Sequence, residues 1–464
     1  MNMTSSIKSV NPATNKVEKI YQEMSAEEVD TILSKADNAY LTWKKSSFTE
    51  RAVILHNIAK TMRDKKELLG KICTTEMGKL LSESISEVEL CANIFDYYAN
   101  EGSRLLADKE IDVKHGKAFL TYEPIGVLLT VQPWNFPFYQ ITRTAAANLM
   151  AGNTIVLKHA SNIPQCAEIM EKIFIEAGLP DGVYNNLFIP GSKVSALVSD
   201  ERVKAVSLTG SKPAGSNFAS EASKVIKKPT LELGGSDAFI VLADADIDSA
   251  VATATAGRLW NAGQVCVSPK RIIVLENVAK EFIAKAKAIY EKIIVGDPMD
   301  PATQLAPLSS EGAVNDVINQ VEVAVKEGAT LVFGGKRLDR EGAFMQPTIL
   351  TDIKPNMKAY HEEIFGPVLC IYAVKNIDEA IQLANATEFG LGGTVFGKNE
   401  AEAIKVARQI VTGMVYINHT TGIAPELPFG GTKLSGYGRE QSLAGIREFV
   451  NEKLIRVTTP DAPY

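Results

Sequence analysis

The chain has 464 residues, 45% of them hydrophobic, and 55 acidic against 49 basic side chains leave a formal net charge of -6. That length and apolar content allow two or more packed cores, while the negative balance and the lack of a basic tract exclude an electrostatic nucleic-acid footprint. No run approaches the roughly 20 apolar residues of a membrane span, and the opening MNMTSSIKSVNPATNKVEKI lacks the layout of a secretory signal, so a cytoplasmic location is expected. The five cysteines (73, 91, 166, 266, 370) and five histidines are scattered without CxxC or HxxxH spacing, so neither disulfides nor a bound metal are expected.

The first hundred residues read as helical. Ser25 with Glu28 forms a capping box ahead of an amphipathic run, Thr49 is the expected cap of a second helix from Arg51 to Leu69, and a third covers Ser82 to Leu106. From Ala118 the pattern changes to short β-branched runs (AFLTYE, IGVLLTV, TIVLKH, AVSLTG, FIVL) separated by helical stretches, which indicates parallel α/β layers. RIIVLE, VLCIYAV, GTVFG and MVYIN repeat the habit between helices such as Val278 to Ile293 and Asn376 to Asn385, so a second α/β domain is expected. The closing EFVNEKLIRVTT alternates like an edge strand without a neighbouring partner in sequence, leaving another segment or another subunit to pair with it.

Four places carry chemistry. Cys266, in NAGQVCVSPKR, sits where a helical run gives way to a Gly-containing loop followed by Lys270 and Arg271; a cationic setting favours the reactive thiolate, although a small buried thiol is the plainer reading. The other four cysteines, in apolar runs, read as core thiols. Glu232 stands one residue before Gly234-Gly235 in LELGG, as a candidate base or simply an exposed strand end. In QPWNFPFYQITR, Trp134 and Asn135 occupy a proline-flanked turn before a helix starting near Phe138, where an amide can donate to a developing oxyanion. In SLTGSKPAG a strand runs through Gly210-Ser211 into a helix, aiming backbone N–H groups at an anion; the lysine of a P-loop is absent, with Ser216 in its place.

Together with EEIFGPV and PFGGTKLSGYGRE, these segments resemble the aldehyde dehydrogenase superfamily in order and spacing over essentially the whole chain, and within it succinate-semialdehyde dehydrogenases most. The resemblance implies a Rossmann-like cofactor domain (1–118 and 139–234), a catalytic α/β domain (235–420) and a small β oligomerisation element (119–138 and 435–464). It implies that Cys266 attacks an aldehyde, that Asn135 and the Cys266 N–H hold the oxyanion, and that Glu232 activates water against the resulting thioester. NAD(P) is implied as cofactor, with Gly210 and Ser211 near the pyrophosphate, Trp134 lining it, Glu363 on the nicotinamide ribose, Phe365 nearby and Lys158 on the adenosine ribose. Ser161 stands where many NAD-preferring relatives carry a glutamate, which favours NADP unless Ser161 merely caps the helix near Pro164.

For the substrate, Arg143 resembles the arginine that succinate-semialdehyde dehydrogenases use for the distal carboxylate, with a structural ion pair as the alternative. Thr420 and Thr421 are expected as hydroxyl donors at the substrate mouth, Phe429 as an apolar wall, and His419 as a structural residue. Val265 and Val267 flank the nucleophile, so no neighbouring thiol supports a disulfide switch, while peroxide oxidation of Cys266 stays open. The implied activity is oxidation of a small aldehyde to its acid, most readily succinate semialdehyde, in a homodimer or homotetramer. The alternatives are another small aldehyde, acyl-transfer or esterase chemistry on the same scaffold, and a non-catalytic role.

Overall fold

The computed structural model describes residues 6–461; the first five residues of the opening stretch and the last three of the expected β element lie outside it. The first hundred residues are not all helical: an antiparallel pair, Ser6–Val10 with Val17–Gln22, precedes four helices, Ala26–Trp43, Phe48–Asp64, Lys66–Met77 and Leu81–Leu105. Ser25 and Glu28 close the expected capping box. The second helix corrects the sequence reading. Its cap is Ser47 rather than Thr49, because Ser47 Oγ accepts the Glu50 N–H at 3.2 Å while Glu50 Oε2 accepts the Ser47 N–H at 2.7 Å. It also stops at Asp64, and Lys66 starts a separate helix.

The first sheet has six strands in the order Gly436–Tyr437, Lys228–Glu232, Val203–Thr209, Val127–Gln132, Thr154–His159, Tyr184–Asn186, all parallel except the first pairing. Chain order reverses between Val127–Gln132 and Val203–Thr209, and at the carboxyl ends of such neighbours a twisted parallel sheet opens a crevice. The second sheet orders Thr330–Phe333, Thr348–Thr351, Val368–Val374, Pro269–Leu275, Asp237–Val241, Gly393–Phe396, Tyr416–Ile417, parallel apart from its first pair. Central strands such as Asp237–Val241 and Pro269–Leu275 are buried at every position, as expected of parallel strands covered on both faces.

The expected bridging segment 119–138 divides. Lys117–Pro124 forms a three-stranded antiparallel sheet with Lys109–Ile111 and Val450–Val457, whereas Val127–Gln132 is a central strand of the first parallel sheet. The closing strand thus has its partner within the chain, running Val450 against Pro124 to Val457 against Lys117.

Two helices facing the crevice lack local caps. Pro137–Ala151 starts after Phe136 and Pro164–Glu176 after Ile163, and no side chain of either preceding residue caps them. Ser161 is therefore not the cap. Carboxylates from the N-terminal helices serve instead: Glu87 Oε1 accepts the Phe138 and Tyr139 N–H groups at 2.8 and 2.9 Å, and Glu76 accepts those of Gln165 and Cys166 at 2.9 and 2.8 Å. Glu87 is also paired with Lys79 at 2.6 Å in complete burial. Removing one partner of a buried pair strands the other charge and costs about 3–5 kcal/mol. Glu87→Ala is expected to lower unfolding stability by about that amount in a urea titration, and a loss below about 1 kcal/mol, the scale of an exposed pair, would contradict this reading.

Candidate active site

The helix Ile247–Leu259 ends in a turn, Trp260–Gly263, in which Asn261, Ala262 and Gly263 take left-handed backbone angles (φ 49°, 52° and 75°). Side chains strain that conformation, so surrounding contacts must hold it. Glu83 Oε1 accepts the Asn261 N–H at 3.0 Å. Buried Arg258 donates to Ser268 Oγ at 3.0 Å, Ile364 O at 2.6 Å and Val368 O at 2.7 Å, fastening the loop to the EEIFGPV segment. From 261 to 270 only Cys266 is not fully buried.

Asn135 lies three residues beyond the strand Val127–Gln132 and faces this loop. Its Nδ2 donates to Gln264 O at 3.1 Å, its Oδ1 accepts from Gln140 Nε2 at 3.1 Å, and its backbone O accepts from Asn261 Nδ2 at 2.7 Å. These bonds fix the amide's rotamer and leave one Nδ2 hydrogen uncommitted to a protein acceptor.

Glu232 is the last residue of Lys228–Glu232, and the chain enters the second sheet at Asp237. The glycines between them admit close neighbours: a Cβ on Gly235 would lie 2.6 Å from Cys266 O, and one on Gly234 would collide with the Glu363 carboxylate. Both Glu232 carboxylate oxygens are buried without a protein hydrogen-bond partner. Burial, reinforced by Glu440 and opposed by Arg143, pushes its carboxyl up to about 8. Burial likewise pushes the Cys266 thiol up to about 12, with Arg143 and Lys270 pulling it down and Glu232 and Glu363 pushing it further up.

A cavity of ≈ 230 Å³ joins Cys266 and Asn135 at the crevice; its lining also includes Trp134, Gln140, Gly210 and Glu363, and Leu233 and Gly234 next to the buried Glu232. Ser211 and Phe365 also face it, and Phe365 meets Trp134 edge-on at 5.9 Å. Ser211 caps the helix Lys212–Lys224, whose N-terminus thus points N–H groups at the crevice. A dinucleotide fits this donor set: a helix N-terminus for phosphate, a carboxylate for ribose hydroxyls, and glycines where side chains would intrude. Lys158, at the carboxyl end of Thr154–His159, is buried and is paired with no carboxylate among the described residues, while Ser161 is exposed. Neither lines the cavity at Cys266.

Four residues expected at the substrate do not line this cavity. Arg143 is buried, its Nε 2.6 Å from Glu440 Oε2 and its Nη2 donating to Thr209 Oγ1 at 2.6 Å. The Nε–H is not aligned on the carboxylate, so that contact is a charge pair and not a directed hydrogen bond. Tyr139 and Phe429 flank the guanidinium at 5.4 and 5.1 Å. Thr421 is turned away, donating to Asp237 Oδ2 at 3.3 Å, and Thr420 packs over Gly257. Phe429 is buried in the apolar cluster against which Cys266 packs. His419, exposed, bonds the Thr420 carbonyl at 2.7 Å. Of the two cations after the nucleophile only Lys270 faces the site; Arg271 donates to Ser236 O and Leu383 O. Glu83, Gln140, Thr209, Arg258 and Glu440 carry no local signal of their part in the site, because only the tertiary fold brings them here. No group of metal-binding side chains occurs among the described residues, and no described helix is long and apolar enough to cross a membrane.

The sequence profile of the aldehyde dehydrogenase family matches residues 1–455. The chain belongs to the aldehyde dehydrogenase family. Among the relatives of this aldehyde dehydrogenase, a succinate-semialdehyde dehydrogenase (NADP+) of Deinococcus radiodurans is 46% identical over 96% of this chain and 94% of its own length. One of the same description from Mycobacterium tuberculosis is 44% identical over 97% of this chain and 99% of its own. The crystal structure of succinic semialdehyde dehydrogenase from Streptococcus pyogenes with NADP+ superposes with a TM-score of 0.96, at 44% identity, covering 98% of this chain and 100% of that one.

A carboxyl raised to about 8 is mostly protonated at pH 7, so its basic form increases about tenfold per pH unit below that value. Any step using Glu232 as base is expected to accelerate with pH and level off near 8; Glu232→Gln should remove that limb from the steady-state pH profile, and an unchanged profile would exclude Glu232. Because Arg143 is committed to Glu440 and Thr209, Arg143→Ala is expected to lower kcat/KM similarly for carboxylated and neutral aldehydes of equal length. A loss confined to the carboxylated one would restore Arg143 as an anchor.

Proposed function

We propose that this enzyme oxidises succinate semialdehyde to succinate with NADP, through a covalent intermediate on Cys266. The observation that carries the reading is the meeting, at one cavity, of the least buried residue of the Cys266 loop with the Asn135 amide, beside a buried and unpartnered Glu232. The succinate semialdehyde and NADP assignments draw support from the relatives of that description, one of them solved with NADP+.

In the free protein the thiol is neutral, and its proton must leave as sulfur attacks. Solvent takes that proton, and the nearby Lys270 and Arg143 charges favour the thiolate. Attack joins Sγ to the carbonyl carbon and moves negative charge onto oxygen, where the free Asn135 Nδ2 hydrogen and the Cys266 N–H serve as donors. NADP, when bound in this crevice, would supply the hydride acceptor, and loss of that hydride from the carbon held on Cys266 gives a thioester. Glu232 then takes a proton from water as the water attacks the thioester carbon; the C–S bond breaks and the acid leaves. A carboxylate whose pKa is raised towards neutrality suits that work. Gly210, Ser211 and Trp134 are proposed to hold the pyrophosphate side, Glu363 and Phe365 the nicotinamide side, and Lys158 with Ser161 the adenosine end.

The closed environment of Arg143 favours a second reading, a small aldehyde without a distal carboxylate, because no free cation lines the cavity. Retention of Glu232 favours water over a thiol acceptor. We place the enzyme in the cytoplasm as a homodimer or homotetramer: the strand Val450–Val457 exposes Leu454 and Val457, apolar area suited to a second copy. The proposed oligomerisation element combines the strands Lys117–Pro124 and Val450–Val457, between a cofactor domain ending near 234 and a catalytic domain over 235–420.

With succinate semialdehyde and NADP the wild type is expected to form NADPH, and Cys266→Ala to abolish it without altering the circular dichroism spectrum; activity retained in that variant would refute the covalent route. Ser161→Glu is expected to reduce kcat/KM for NADP at least about tenfold, with little change for NAD, through repulsion of the 2′-phosphate. An unchanged NADP/NAD ratio would remove Ser161 from cofactor choice.

A further inference from the structure

Lys270 is the second residue of the fully buried strand Pro269–Leu275 and is itself 4% exposed. Burying an ammonium is costly unless each of its three N–H donors finds an acceptor. Two carbonyls accept from it, Val265 O at 2.9 Å and Cys266 O at 2.7 Å, and Glu363 Oε1 balances its charge at 3.1 Å. A packing role alone would be met by an apolar side chain at lower desolvation cost.

The two carbonyls border the nucleophile. A trans peptide is planar, with C=O and N–H opposed across it, so fixing the Val265 carbonyl fixes the direction of the Cys266 N–H. That N–H is the second oxyanion donor. Ser268 N–H also bonds Val265 O, at 3.2 Å, which secures the same plane from the chain side. The third partner, Glu363, accepts the Gly235 N–H at 3.3 Å and lines the cavity on its cofactor side. One ammonium thus joins the peptide that carries the oxyanion donor to the carboxylate proposed for the nicotinamide ribose.

We propose that Lys270 is a positioning residue that aims the Cys266 N–H at the developing oxyanion and ties that aim to Glu363. The inference rests on Cys266 being the nucleophile of the proposed function. Its electrostatic consequence is independent of turnover: Lys270 favours the thiolate and Glu363 opposes it.

The test combines two readouts on the full-length enzyme. In a single turnover with saturating aldehyde and NADP, Lys270→Met is expected to slow NADPH formation at least about tenfold with little change in aldehyde KM, because only the charged transition state loses its donor. Iodoacetamide alkylation of Cys266 at pH 8, without substrate or nucleotide, is expected to slow about tenfold in Lys270→Met and to quicken in Glu363→Gln. General loosening of the loop would move both variants the same way. If Lys270→Met does not fold, Lys270→Gln carries the same expectations. Wild-type rates in both readouts, or alkylation shifts of one sign in both variants, would overturn the proposal. A wild type that reduces no nucleotide with any aldehyde would refute the proposed function, while the alkylation rates would still report the Lys270 charge.

Discussion

Two hydrogen bonds cross between the parallel sheets at Asn135. Its side chain donates to the Gln264 carbonyl and its own carbonyl accepts from Asn261, joining the segment after the first sheet's central strand to the loop before a central strand of the second. The left-handed turn at Asn261 and Ala262 is held by this crossing together with Glu83 and Arg258. Cys266 reaches the cavity because that turn is held, and the Asn135 amide faces it because the same bonds fix its rotamer. Distance between nucleophile and oxyanion donor is therefore set by sheet packing and not by loop flexibility, which is how a scaffold preorganises charge stabilisation.

Burial then sets the acid–base character of the site. It makes the Cys266 thiol a weak acid and Glu232 a stronger base than a free carboxylate, so neither is charged by default at neutral pH. Arg143 and Lys270, paired with Glu440 and Glu363, pull the thiol down without offsetting its burial. The free enzyme therefore holds its reactive groups largely neutral. For a nucleophile exposed to oxidants, that limits reaction outside turnover.

Legibility in the sequence followed the range of the interactions. The capping box at Ser25 is local and legible, whereas near Ser47 the sequence offers Thr49 as an equally good capping residue two positions further on. The α/β alternation showed in apolar runs, but the pairing of Val450–Val457 with Lys117–Pro124 spans more than 300 residues and leaves no local trace. The remote caps Glu76 and Glu87 were hidden for the same reason. Cys266, Glu232 and Asn135 were each ambiguous in isolation and became readable through motif order. Arg143 marks the limit: sequence supplies a guanidinium near the site, and only the fold shows that Glu440, Thr209 and two aromatic rings already surround it.

Cys266 and the buried Glu232 beside its cavity are assigned successive half-reactions. Intact-protein mass spectrometry of Glu232→Gln, quenched in acid after mixing with NADP and succinate semialdehyde, tests that assignment most directly. The account predicts one acyl group per chain, mapping to Cys266 and accompanied by a stoichiometric burst of NADPH without continued turnover. Undiminished turnover with no acylated chain, or an acyl group at any other residue, would contradict it.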